Sequence, residues 1–122
     1  MHRDHLTEDL TAQWTEVCAL ADIVPNTGVC ALIGDQQVAV FHVFDSRQQE
    51  SHVLAINNYD PNAEAAVLSR GLIGSLGERI VVASPMYKQH FDLHTGECLE
   101  VPQHSVAAYP TRVTNGRVWV AA

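Results

Sequence analysis

The chain is poor in positive charge: seven Lys and Arg residues face fourteen Asp and Glu, giving a formal net charge of −7 and a pI near 5.3. Sequence-independent nucleic-acid binding rests on a basic, phosphate-contacting face, and these scattered cations make none. An acidic surface serves solubility or steers the protein toward a basic patch on a partner. No apolar run approaches the roughly 18 residues of a membrane span. Met1 to Gln13 is polar and acidic, without the apolar stretch of a secretory signal, so the expected location is cytoplasmic. Cys18, Cys30 and Cys98 are odd in number and widely spaced, which suits reduced thiols and not a disulfide framework.

The local motifs of catalysis are missing as well. There is no GxSxG, HExxH, GxGxxG or Walker-type glycine loop. Gly71, Gly74 and Gly77 read as hairpin and cap glycines, because no helix follows them to receive a phosphate at its N-terminus. His90 and His94 have the i, i+4 spacing that would join them on one face of a helix, but FDLHTG reads as a strand entering a turn. Four residues of strand hold two rings about 13 Å apart, too far for one ion. His42 and His52 fall on neighbouring strands where they could oppose each other across the DSRQQE turn, but with no Cys or carboxylate at ligand spacing they read as two half-exposed strand histidines. Cys30 and Cys98 read as small core side chains without a basic neighbour to activate them.

What the chain does contain is short, β-branched segments with regular interruptions. VCALI and QVAVFHVF form a hairpin around Gly34 and Asp35, and SHVLAI follows across the polar turn DSRQQE. NNYDPN is a loop, dense in side chains that bond their own backbone. AEAAVLS after it suits a short helix, closed at Arg70-Gly71 by a left-handed glycine cap. LIGSLGERIVVAS turns at Gly77, and TRVTNGRVWVAA turns at Asn115-Gly116, where a type I′ turn needs positive φ twice. The fold class is therefore all-β: an antiparallel sandwich or open barrel with one short helix, spanning residues 14–122 behind a flexible polar arm, residues 1–13. At 122 residues, with 47% hydrophobic and 17% charged residues, one domain with one modest core is expected.

The run from Ser84 to Gly96, SPMYKQHFDLHTG, resembles the second cluster loop of Rieske ferredoxins, patterned C-P-x-H-x-x-x-F-D-x-x-T-G. Pro85, the Phe91-Asp92 pair and the Thr95-Gly96 turn match at the family's offsets, and Pro102 follows. In that register Ser84 stands at the family's cysteine and Tyr87 at its histidine. Upstream, Asn58-Tyr59-Asp60 stands where the family has C-x-H, and Leu68-Ser69-Arg70-Gly71 resembles the family's P-L-S-x-G. A Rieske centre takes two thiolates and two imidazoles, which Asn58, Asp60, Ser84 and Tyr87 do not supply.

Cluster-free domains of this pattern resemble the small subunit of bacterial assimilatory NAD(P)H nitrite reductase, and the likeness runs from Trp14 to Val120. The resemblance implies a non-catalytic subunit without a cofactor of its own. It further implies a large subunit that carries FAD, an iron–sulfur cluster and sirohaem and reduces nitrite to ammonium. Without a cluster the two loops need another tie, and the expectation is Asx-type turns at Asn58 and Asp60, with the Tyr87 phenol reaching across to the first loop. Pro85, Met86 and Tyr87 at the loop tip form a candidate docking group for the large subunit, unless Met86 folds inward as core filler. Two other classes stay open: a cluster-bearing Rieske-type ferredoxin for electron transfer, and a free-standing β-domain that binds a small molecule.

Overall fold

The computed structural model describes residues 13–122; of the polar N-terminal arm, residues 1–12 lie outside the described residues. The strands run β1 (Trp14–Ala19), β2 (Thr27–Ile33), β3 (Gln36–Asp45), β4 (Glu50–Asn57), β5 (Tyr59–Asp60) and β6 (Ala65–Ala66). They continue as β7 (Leu72–Leu76), β8 (Arg79–Ala83), β9 (His90–Asp92), β10 (Ala108–Tyr109), β11 (Thr111–Thr114) and β12 (Arg117–Ala121). Every pairing is antiparallel. The sheets have the orders β10-β4-β3-β2, β1-β12-β11, β7-β8-β9 and β5-β6, and they stay open at their edges.

The glycine and Asn-Gly turns lie where their chemistry requires. Gly34 and Gly77 both have φ of 63°, and Asn115 and Gly116 have φ of 53° and 74°. The glycine-free turn between β3 and β4 is held by Asp45, whose Oδ1 accepts the amides of Arg47 and Gln48 at 2.9 and 3.4 Å.

The interior holds two apolar clusters where one was expected. Ala39, Phe41 and Val43 of β3, with Ile56 of β4, pack against Val82, Phe91 and Leu93 of the β7-β8-β9 side. Val38 and Val40, with Val53 and Ala55, face the opposite way onto Val118 and Val120 of β12. Alternate residues of a strand point to opposite faces, so QVAVFHVF is unbroken in apolar character because both faces of its sheet are covered.

Two local expectations fail. AEAAVLS forms no α-helix: Ala65 and Ala66 pair with Asp60 and Tyr59 inside the supposed loop, and only Leu68–Arg70 makes a single 3-10 turn. A seven-residue helix is marginal on its own. Here the first loop captures its amides: the Leu68 N–H donates to the Asn58 carbonyl at 3.0 Å, and the Ser69 N–H to Asn58 Oδ1 at 2.7 Å. Gly71 is not a left-handed cap either, since its φ is −76°. Glycine is needed there for close approach, because a Cβ would lie 2.3 Å from the Ala83 carbonyl oxygen.

Candidate functional site

The site is the pair of loops that resembles a Rieske cluster cradle, and the central sheet and the β7-β8 hairpin bring them together. β4 delivers Asn57 to the first loop, and β8 delivers Ser84 to the second. Asn58 is buried and spans three neighbours. Its Oδ1 accepts the Ser69 amide, while its Nδ2 lies 3.4 Å from Gln37 Oε1 and 3.5 Å from Cys30 Sγ. The expected Asx turn at Asn58 belongs instead to Asn57, whose Oδ1 accepts the Tyr59 amide at 2.9 Å. Asp60 does form its Asx turn, accepting the Asn62 amide on Oδ1 at 2.9 Å.

The tie between the loops is not the Tyr87 phenol. Tyr87 is 59% exposed. Ser84 makes the connection, donating its hydroxyl to Asp60 Oδ2 at 2.5 Å, with both residues fully buried. Two positions that hold a cluster ligand in Rieske ferredoxins thus hold the two ends of one hydrogen bond. The second loop then closes on itself: the Ser84 amide donates to the Gln89 carbonyl and the Lys88 amide to the Ser84 carbonyl, at 2.9 and 3.1 Å. Lys88 adopts φ of 68°, a left-handed conformation that lifts Pro85, Met86 and Tyr87 outward. Met86 is 52% exposed and therefore does not fill the core.

A further tie escaped the sequence reading. Asn62 Oδ1 accepts from His104 Nδ1 at 2.6 Å, and its Nδ2 approaches the Cys98 sulfur at 3.6 Å, fastening the first loop to the segment before β10. An amide oxygen only accepts, so the His104 proton sits on Nδ1. Nothing in the spacing of Asn62, Cys98 and His104 announces this contact.

The remaining histidines and cysteines serve other ends. His42 is buried, not half-exposed: its Nδ1 donates to the Ile23 carbonyl and its Nε2 meets Ser51 Oγ, each at 2.8 Å. His52 is exposed and pairs across the ladder with Val43, so the two histidines do not oppose each other. His90 Nδ1 lies 2.6 Å from Glu100 Oε2 while His94 is exposed in the following turn. Burial pushes the Glu100 carboxyl up, but hydrogen bonds from the His90 amide and ring outweigh it and hold the carboxyl below its usual range. Cys98 is buried as expected, whereas Cys30 is exposed on β2 and not in the core. β2 is the edge strand of its sheet, a position that an apolar strand pattern does not reveal.

The donor set does not fit a Rieske cluster. Asn58 offers an amide, Asp60 a carboxylate and Ser84 a hydroxyl, all three engaged in internal hydrogen bonds, and the Tyr87 phenol faces solvent. Two irons bridged by sulfide need thiolate and imidazole donors on both loops. Among the described residues no group of three or more His, Cys, Asp and Glu side chains converges as a metal site. No described helix is long and apolar enough to cross a membrane.

Comparison with known proteins gives the same frame. The Rieske-like [2Fe-2S] domain family matches residues 13–121. The NADH nitrite reductase small subunit of Escherichia coli K12 is 50% identical over 107 residues, covering 88% of this chain and 95% of that one. The solution structure of the NAD(P)H nitrite reductase small subunit from Erwinia carotovora superposes with a TM-score of 0.72 at 52% identity, covering 89% of this chain and 81% of that one. A chain named the NAD(P)H nitrite reductase large subunit, from Klebsiella oxytoca, is 39% identical over 107 residues, 88% of this chain but 11% of its own length. The chain belongs to the Rieske-like [2Fe-2S] domain family and, within it, to the small subunits of NAD(P)H nitrite reductase.

Proposed function

We propose that this chain is the non-catalytic small subunit of a cytoplasmic, assimilatory NAD(P)H nitrite reductase, and that it acts by docking its loop tip on the large subunit. In this reading it carries no cofactor, and FAD, sirohaem and the iron–sulfur cluster reside on the large subunit, where nitrite is reduced to ammonium. The observation that carries the reading is the buried Ser84–Asp60 bond, which ties the loops where a cluster would and leaves Pro85, Met86 and Tyr87 facing out. Exposed apolar and aromatic groups on a rigid loop are the usual content of a protein interface. The Klebsiella oxytoca comparison supports the partner: a chain named as the large subunit contains a stretch resembling this domain.

The test is nitrite-dependent NAD(P)H oxidation by the large subunit with and without this chain, combined with copurification of the Met86→Asp variant. Loss of association in that variant supports docking through the tip, and full copurification refutes it. A coloured protein containing iron and acid-labile sulfide would return the reading to a ferredoxin. Failure to capture any flavoprotein from the source extract would favour a free-standing binding module.

A further inference from the structure

The apolar strand β2 ends its sheet with one side of its backbone unpaired. Successive residues of an antiparallel strand turn their N–H and C=O groups to opposite sides. The Asn58 amide donates to the Gln37 carbonyl at 2.9 Å, so Gln37 faces β4, and its neighbours Gln36 and Val38 face β2. Their partners there are Ile33 and Ala31. Val29, Ala31 and Ile33 therefore bond to β3. Gly28, Cys30 and Leu32 turn their N–H and C=O groups outward, with no backbone partner among the described residues. The side chains of Cys30 and Leu32 are exposed as well, Leu32 to 74%.

Sheet edges are ordinarily guarded by shortness, charge, proline or a bulge, because an unguarded edge pairs with any extended chain. β1 carries Glu16 and a register shift between Glu16 and Cys18, and β11 carries Arg112. β9 and β10 are three and two residues long. From Thr27 to Ile33, β2 has no charge and no proline, and its register with β3 is unbroken. β7 is uncharged too, but the groove beside it is lined by Asp45, Arg47, His52, Glu78 and His94. The groove beside β2 is different in character. It measures about 360 Å³ and runs between two edge strands, with Thr15 to Cys18 of β1 on one side, Val29 to Ile33 of β2 on the other, and Asp22. Its charged side chains are Glu16, bonded to Arg117, and Asp22, which makes no ion pair among the described residues.

We infer that this groove receives one extended segment of the large subunit, which adds to β2 as a further strand, apolar on both faces and carrying a Lys or Arg toward Asp22. The outward N–H and C=O groups of Gly28, Cys30 and Leu32 supply the main-chain bonds, as in other cases of strand addition. Val29 to Ile33 spans about 17 Å, the length of a strand of about five residues. On one face the added strand lies beside Val29 and Ala31, which pack on the interior, and on the other beside exposed Leu32, so neither face suits a polar alternation. A cation toward Asp22 completes the charge match. The space suits a single strand and not the sheet of a second copy. β1 borders the edge on one side, and the Leu68–Arg70 turn borders it at Gly28, where a Cβ would lie 2.9 Å from the Ser69 carbonyl oxygen. Strand addition at β2 rests on the family membership established above and is independent of docking through the Pro85–Tyr87 tip.

The experiment is residue-resolved amide hydrogen exchange of the full chain, alone and in complex with the purified large subunit. In the isolated chain the amides of Gly28, Cys30 and Leu32 should exchange about 100-fold faster than those of Val29, Ala31 and Ile33, and in the complex they should slow to the same range. Leu32→Lys places a guarding charge on the exposed edge, with a thermal melt to confirm folding, and should weaken association about tenfold. Unchanged exchange at Gly28, Cys30 and Leu32 in the complex, with slowing confined to residues 84–89, overturns strand addition and leaves tip docking standing. Slowing at these three amides with none at 84–89 does the reverse. Protection of the three amides already in the dilute isolated chain means that the edge is filled from within, and protection that grows with the concentration of the isolated chain means that a second copy fills it. Either result overturns the inference, as does wild-type association by Leu32→Lys.

Discussion

Replacing Ser84 by alanine isolates the bond that stands at two former ligand positions. The hydroxyl donates to Asp60 Oδ2 at 2.5 Å, and neither side chain reaches solvent. A hydrogen bond to a charged group contributes about 1.5–3 kcal/mol net, and the stranded carboxylate oxygen finds no water to replace it. The second interaction lost, the Met86 amide on Ser84 Oγ, is long at 3.3 Å and adds little. The expected cost is therefore about 2–3 kcal/mol, a large part of the roughly 5–15 kcal/mol that holds a typical domain together. Asp60→Asn is the control: its amide oxygen still accepts the Asn62 amide and its NH2 faces Ser84 Oγ, so the loss should stay below about 1 kcal/mol. Urea unfolding with an unchanged slope gives the difference, and amide exchange over residues 57–64 and 84–89 locates it in the two loops. A Ser84→Ala variant within about 0.5 kcal/mol of wild type, with both loops as protected as before, would refute the tie.

Four further outcomes follow from the geometry. Gly96→Ala should cost about 2–5 kcal/mol in the same unfolding assay, because φ there is 80° and a Cβ would lie 2.0 Å from the Val106 carbonyl oxygen. Gly77→Ala, with φ of 63° but open space around it, should cost only about 1–2 kcal/mol. Iodoacetamide should label exposed Cys30 first and Cys18 more slowly, since burial and the nearby Asp22 carboxylate push that thiol up against the smaller opposing effect of Arg117. Cys98 should react only on unfolding, and peptide mass mapping that finds it labelled at the Cys30 rate contradicts the burial. Glu100 has a depressed folded-state pKa, so its contribution is present above the ordinary carboxylate value and is lost as pH falls through the lower folded one. Glu100→Gln should accordingly lower stability by less than about 1 kcal/mol at neutral pH, the pair being partly exposed, and the difference from wild type should shrink in acid unfolding curves as pH falls below the ordinary carboxylate range.

The strands were legible in the sequence wherever turn chemistry and apolar patterning agreed. Gly34, Gly77 and Asn115-Gly116 take the positive φ that their hairpins require, and the ladders on either side follow. Where long-range hydrogen bonds override local preference, the sequence pattern is misleading. AEAAVLS has good helix formers, but Asn58 takes the amides of Leu68 and Ser69, a contact across ten and eleven residues that no local window contains. Cys30 and His42 were misplaced for a related reason: alternation along a strand does not tell which face is covered by a second layer, and here one strand of the sheet is covered on both sides while its edge neighbour is not.

The four substituted positions were legible because a motif pattern survives around them, but their new roles were not. Seen in sequence, Asn58, Asp60, Ser84 and Tyr87 are four separate losses of a metal donor. In the fold they divide into three inward groups and one outward group. Asn58 organises the first loop, Asp60 and Ser84 replace a metal-mediated link by a hydrogen bond, and Tyr87 is released to the surface. A cluster bonded to both loops needs a ligand from each, so once Asp60 and Ser84 bond to each other, the constraint on position 87 disappears and its side chain is free to serve contact. The bond therefore ties the base of the second loop to the first while the tip itself faces solvent. In the docking proposed above, a base fixed in this way lowers the entropy lost when the tip is immobilised against a partner, which untied loops would not do.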